Sequence, residues 1–338
     1  MPHPGINSVQ SSPVISQWLS LGLGIDDTLM AQTCVWEMLA VKPNFRQWEE
    51  SLRLWADHQA LNTFTEALAQ LRKTYPEQPW LTFIGSGDFH HLTHTLLETL
   101  AIPNERPLHL ILIDNHPDWF QWGPKYHCGN WVSLVLKQKH ANTQRPKIAS
   151  VHLLGQDSED FSPTSFCFMP FDDLAQGRVN LYPYQKKRLP VLGRWPVKVA
   201  GVKHSVKRWY GVDLHPRTVS ETGIQALCEE LLQQYPDDLF YISIDKDCLH
   251  LETSTTDWDQ GSMHPNELLD ALRVFKASHR LIGVDVCGEL SQKPVQGLWK
   301  NIDSGRYFRH SPPSEVQIAQ NQSVNQAILE IFSGTNPL

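Results

Sequence analysis

The sequence predicts an α/β fold built on a central, mostly parallel sheet, and three observations carry that expectation. Short apolar runs at 80–84, 108–113, 148–154, 239–244 and 281–286 hold almost no charge. Runs of this kind read as strands buried on both faces, as parallel strands are. Between them, apolar residues recur three and four positions apart, a helical spacing, and alternation of strand with helix favours a parallel sheet. Acids and histidines gather just after the runs, at the strand ends where open α/β sheets bind ligands.

Composition bounds the rest. A chain of 338 residues suffices for one large domain or two smaller ones. The net charge of -7 is spread along the chain, and without a basic footprint nucleic acid is excluded as the main partner. No apolar run approaches the ~20 residues of a bilayer span, so no membrane association is expected. The opening MPHPGINSVQSSP lacks the basic-then-apolar layout of a signal peptide. Cys34, Cys128, Cys167, Cys228, Cys248 and Cys287 are scattered without CxxC spacing, which points to a reducing, cytoplasmic location.

Taken in order, residues 1–14 read as a loose arm. Residues 15–75 read as a helical lead-in, from Trp18, Leu19, Leu21 and Leu23 through 29–39 and 48–71, and 76–338 as the main domain. The strand at 80–84 runs into GSGDFHHLTHTLLETL, so His90 and His91 sit where strand hands over to helix. The strand at 108–113 breaks into Asp114, His116 and Asp118, which share one side of an extended chain, while Pro117 prevents a helix. His127 lies in the next loop, ahead of Asn130 and a helix at 131–137. The strand at 148–154 ends in GQDSEDF, whose acids are expected to be solvated. Residues 161–205 read as an insertion of surface hairpins or loops carrying Lys186, Lys187 and Arg188. A strand at 206–212 and a helix at 220–234 precede the strand at 239–244, which ends in Asp245, Lys246 and Asp247. A polar loop, a helix at 266–275, a strand at 281–286 leading to Glu289, and a helix at 316–332 complete the chain.

His90 or His91 with Asp114, His116, Asp118, Asp245 and Asp247 makes four carboxylates and two imidazoles. Their desolvation is costly without a cation among them. Oxygen and nitrogen donors without a thiolate suit Mn²⁺, and four mutually repelling carboxylates are better neutralised by two ions than by one.

The same motifs, in order from about Leu81 to Glu289, resemble those of the arginase/agmatinase (ureohydrolase) family. DNHPD at 114–118 resembles DAHxD, SIDKD at 243–247 resembles SxDxD, and GDFHH resembles GGDH with one extra residue, which makes His91 an alternative ligand to His90. TDWDQGSMHPNE, VHLLGQDSED and Gly283-Val284-Asp285-Val286 followed by Glu289 are similar to later segments of the family pattern. The resemblance implies a three-layer α/β/α fold and a two-manganese centre. It further implies hydrolysis of a linear C–N bond in a guanidino or amidine substrate by a metal-bridging hydroxide. It implies metal ligands His90, Asp114, His116, Asp118, Asp245 and Asp247, with Asp118 also orienting the hydroxide. Glu289 would receive the substrate guanidinium and His127 would transfer protons or position substrate. It also implies a homo-oligomer, trimeric or hexameric. Asp257 and Asp259 favour a cationic substrate, and Trp119, Trp122, Trp131 and Trp258 are candidates for the pocket wall. The alternatives are a deacetylase on the same scaffold and a catalytically silent metal-retaining binding or regulatory protein.

Overall fold

A computed structural model of the chain describes residues 18–121, 123–161, 169–192, 201–306 and 311–333. The expected arm at 1–14 and Trp122 lie outside them. The strands are β1 (Leu19–Gly22), β2 (Trp80–Ser86), β3 (Leu108–Ile113), β4 (Ser150–Leu154), β5 (Val179–Tyr182), β6 (Leu189–Leu192), β7 (Val202–Arg208), β8 (Gly211–Pro216), β9 (Leu239–Asp245) and β10 (Leu281–Glu289). The helices are α1 (Thr33–Met38), α2 (Glu49–Leu52), α3 (His58–Thr74), α4 (Leu92–Thr99), α5 (Trp131–Val135), α6 (Phe171–Ala175), α7 (Val219–Thr222), α8 (Ile224–Gln234), α9 (Pro265–Ala277), α10 (Leu298–Asp303) and α11 (Glu315–Ser333).

A seven-stranded sheet in the order β1-β2-β10-β9-β3-β4-β5 forms the centre, and its described pairings are all parallel. The apolar runs divide between its two faces by alternation, as a period of two requires. Ile111 and Ile113 of β3, with Phe240, Ile242 and Ile244 of β9, pack under α8, α9 and α11. Leu108, Leu110 and Leu112, with Leu239 and Tyr241, face Leu97 of α4 and Trp131 and Val132 of α5. Leu61, Phe64 and Leu68 of α3 cover Trp80 and Ile84 of β2. The result is the expected three-layer α/β/α arrangement. Helix starts are locally encoded: Asp57 accepts from the N–H groups of Gln59 and Ala60 to cap α3, and Glu267 accepts from the His264 N–H at the start of α9.

Three stretches differ from the sequence expectation. The lead-in is not wholly helical, because Leu19–Gly22 is an edge strand, with Leu19 paired to Trp80. Leu19, Leu21 and Leu23 alternate, a strand signal in a stretch too short to outweigh the helical periodicity after it. Within 161–205, Val179–Tyr182 is no surface loop but the opposite edge strand of the central sheet, paired to β4. The single strand expected at 206–212 is instead the end of β7, a turn at 209–210 and the start of β8, and these two strands join β6 in a small antiparallel sheet. Much of β7 is exposed, so it carries no apolar run to mark it.

Candidate metal centre

The carboxyl ends of β2, β3, β9 and β10 bring the sequence-predicted ligands together. After β2, Ser86 accepts from the Asp88 N–H and starts a single turn over Gly87–Phe89, which carries His90 toward the acids. A Cβ on Gly87 would lie 2.9 Å from Asp245 Oδ2 and 3.0 Å from Trp258, so only glycine leaves this wall in place. His90 Nδ1 lies 2.9 Å from Asp118 Oδ2, 3.3 Å from Asp114 Oδ2 and 3.6 Å from Asp245 Oδ2. His116 Nδ1 lies 2.8 Å from Asp247 Oδ2 and 3.8 Å from Asp114 Oδ1. His90–Asp114–Asp118 and Asp114–His116–Asp247 are therefore two groups of converging ligand atoms that share Asp114. His91 joins neither; its ring is buried with no hydrogen-bond partner for either nitrogen.

The surroundings orient these groups. His90 Nε2 meets Ser243 Oγ at 2.9 Å, and Ser243 donates to Asp285 Oδ1 at 2.7 Å, which leaves Nδ1 facing the acids. Trp131 Nε1 donates to Asp118 Oδ2 at 2.6 Å. Asp118 takes a left-handed φ of 46°, a conformation that aspartate tolerates better than most residues. The Asn115 N–H donates to Asp247 Oδ1 and the Asp247 N–H to Asp245 Oδ1.

Electrostatically the cluster is poised for a cation. Burial, then Asp247 and Asp118, push Asp114 well above the usual carboxylate range. Burial and Asp247 raise Asp245 to about 7. Burial opposes charge on His116, but Asp247 and Asp114 outweigh it and raise its pKa. The buried Oδ2 of Asp114 makes no hydrogen bond. An orphaned carboxylate oxygen among acids that hold protons is what a divalent ion resolves, so the residues present fit a metal.

These groups face a cavity of about 180 Å³ also lined by Phe120, His127, Cys128, Asp160 and Trp258. His127 Nδ1 accepts from the Gly129 N–H at 2.9 Å and Nε2 lies 2.7 Å from Asp303 Oδ2. Both nitrogens are thus engaged, and proton transfer by His127 requires one contact to open.

Other expected residues sit differently. Glu289 does not line the cavity. The register of β10 against β2 shifts on both sides of Cys287, and Gly288 has a φ of 88°. Glu289 is thereby turned inward, where it accepts from Lys246 Nζ, Gln32 Nε2, Asn321 Nδ2 and Asn325 Nδ2. Asp257 accepts from the Ser291 N–H and lies 3.8 Å from Arg306, so its carboxylate serves the scaffold. Trp119 and Trp131 are fully buried, and Trp258 alone of the described candidates lines the cavity. Conversely, Asp160, expected to be solvated, faces the cavity, and Cys287 places a thiol beside a ligand set read from the sequence as thiolate-free. The dense acids of GQDSEDF were the available signal for Asp160; nothing local marks Cys287.

The parallel sheet and the helical layers on its two faces have the arginase/agmatinase ureohydrolase fold, as solved structures show. The chain matches the arginase from Bacillus caldovelox with a TM-score of 0.59 at 14% identity, over 96% of this chain and 100% of that one. It matches the formimidoylglutamase from Bacillus subtilis with a TM-score of 0.57 at 11% identity, over 97% and 89%. A hypothetical agmatinase from Burkholderia thailandensis gives a TM-score of 0.52 at 15% identity, over 94% and 86%. These identities make the likeness one of fold. No family model matches the sequence. An uncharacterized protein of Thermotoga maritima is 24% identical over 239 residues, 71% of this chain and 69% of that protein.

Proposed function

We propose that the chain is a metal-dependent hydrolase of a linear C–N bond in a small guanidino or amidine compound. The observation that carries this reading is the convergence of His90, Asp114, His116, Asp118, Asp245 and Asp247 on one cavity at the carboxyl end of the sheet. His90, Asp114, Asp118 and Asp245 would hold one ion, and Asp114, His116 and Asp247 a second, with Mn²⁺ the ion suited to the oxygen-rich second group. Bound there, such ions lower the pKa of a water so that a nucleophile exists near neutral pH.

The protein's own groups supply the rest. Trp131 fixes Asp118 through one oxygen, and its second oxygen would orient a water. Phe120 and Trp258 line the cavity and would offer flat faces to a planar cation, and Asp160 a carboxylate. His127, once protonated at Nδ1 with the Gly129 contact released, would deliver its Nε2 proton to the departing amine as the Asp303 contact opens, and return to the neutral ring.

The test is a product screen with chelator-stripped protein resupplied with Mn²⁺ or Zn²⁺. Arginine, agmatine, guanidinobutyrate, guanidinopropionate and formiminoglutamate are scored for release of urea, amine or ammonia, with acetylated amines alongside. Metal-dependent turnover of a guanidino or amidine compound is expected. Turnover of acetylated amines alone, or silence on all of them with metal bound, refutes it.

A further inference from the structure

Cys287 does not line the cavity; it stands against Asp245, a member of the first ligand group that does. It lies on β10 abreast of Asp245 on β9, in the step where the register of β10 against β2 shifts. Its side chain is fully buried, and Sγ lies 3.2 Å from Asp245 Oδ2. The ligand atoms of Cys287, Asp245 and His90 all lie within 4.8 Å of one another. Asp245 Oδ2 is also 3.6 Å from His90 Nδ1, so the thiol faces the same carboxylate oxygen as the imidazole. Independently, the buried Oδ2 of Asp114 lies 3.3 Å from that imidazole nitrogen and makes no hydrogen bond, so it is left with a lone pair aimed at the same group of ligand atoms. By contrast Cys128, the other thiol near the cavity, has His127 as its neighbour, 3.8 Å away, and joins no ligand group among the described residues.

A thiolate changes what a site selects. Carboxylate and imidazole donors alone suit Mn²⁺, whereas thiolate, imidazole and carboxylate together suit Zn²⁺ and Co²⁺. We infer that Cys287 supplies a thiolate ligand to the ion held by His90 and Asp245, so that this half of the centre takes Zn²⁺ or Co²⁺ in preference to Mn²⁺. The inference rests on the reading of the cluster as a metal centre. On ligation the S–H bond breaks, sulfur keeps the electron pair for the ion, and the proton passes to water in exchange for the present contact with Asp245.

The test is optical and needs no substrate. Full-length protein is stripped with chelator and titrated with Co²⁺. Visible ligand-field bands report binding, and a near-ultraviolet sulfur-to-cobalt charge-transfer band reports the thiolate. Wild type is expected to show both, Cys287→Ser to keep the visible bands and lose the charge-transfer band, and Cys128→Ser to keep both. Zn²⁺ affinity should fall at least about 10- to 100-fold in Cys287→Ser, the scale on which even outer hydrogen-bond partners act, and Mn²⁺ affinity should fall less. Visible bands without charge transfer in wild type, or charge transfer that survives Cys287→Ser, overturn the role of Cys287 and leave the metal centre standing. Absence of any cobalt band overturns the centre and this inference together. Should Cys287→Ser not fold, X-ray absorption of the Zn²⁺-loaded wild type decides: a sulfur shell at about 2.3 Å supports the ligand, and nitrogen and oxygen alone at about 2.0–2.1 Å exclude it.

Discussion

Replacing Lys246 by methionine tests whether Glu289 belongs to the scaffold. Lys246 has no exposed surface and Glu289 is 2% exposed, so neither charge has water to turn to. Removing one member of a buried ion pair costs about 3–5 kcal/mol, because the survivor is left uncompensated. Glu289 keeps three amide donors, from Gln32 at 2.5 Å, Asn325 at 2.6 Å and Asn321 at 3.1 Å. These soften the loss without supplying a charge, so the lower half of that range, about 3–4 kcal/mol, is expected. Urea unfolding followed by the fluorescence of the twelve tryptophans measures it. Lys246→Met combined with Glu289→Gln removes both charges and should recover most of the stability, as a double-mutant cycle requires of a coupled pair. A cost below about 1 kcal/mol for Lys246→Met, the scale of an exposed pair, refutes the reasoning. So does a Glu289→Gln variant of wild-type stability whose only defect is a raised KM for a cationic substrate.

Two further outcomes follow from the same geometry. Asp160→Asn should raise KM for a cationic substrate roughly tenfold or more while leaving metal content unchanged, consistent with the loss of one charge-assisted contact; metal loss with unchanged KM contradicts that role. The response to pH has a defined sign. In the metal-free protein burial raises Asp114 well above its ordinary value and Asp245 from 3.8 to about 7. The native chain therefore holds protons that the unfolded chain has released, and this contribution to stability is complete below pH 3.8 and lost as pH rises through about 7. Metal replaces those protons, so the gain in Tm on adding metal should grow from about pH 5 to about pH 8. A gain independent of pH contradicts the assignment of these acids as ligands.

The parts of the fold legible in the sequence were those where one physical signal acted alone. Residues 108–118 announce themselves because a strand buried on both faces is uninterrupted apolar chain, and charged groups at its end stand out against it. The same holds for the strand that ends at Asp245. His90 over His91 was not legible, because the choice depends on a single turn at Gly87–Phe89 that rotates one ring toward the acids and the next away. Glu289 misled because sequence spacing carries no account of a register shift, and the turn at Gly288 points the carboxylate toward Lys246. Cys287 was hidden for the complementary reason: in an apolar strand a cysteine looks like packing, and only the pairing of β10 with β9 brings it abreast of Asp245. The edge strands β1 and β5 are four residues each, too short for periodicity to register against their neighbours.

On the proposed reading, the strand-end acids and histidines form a two-ion centre. Anomalous diffraction from crystals grown with Mn²⁺ or Zn²⁺, with metal content measured on the same protein, tests it most directly. Two ions per chain a few Å apart are expected, one bonded to His90 and the other to His116, with Asp114 between them. Ions bound elsewhere, or a chain that holds none at millimolar metal, would contradict it.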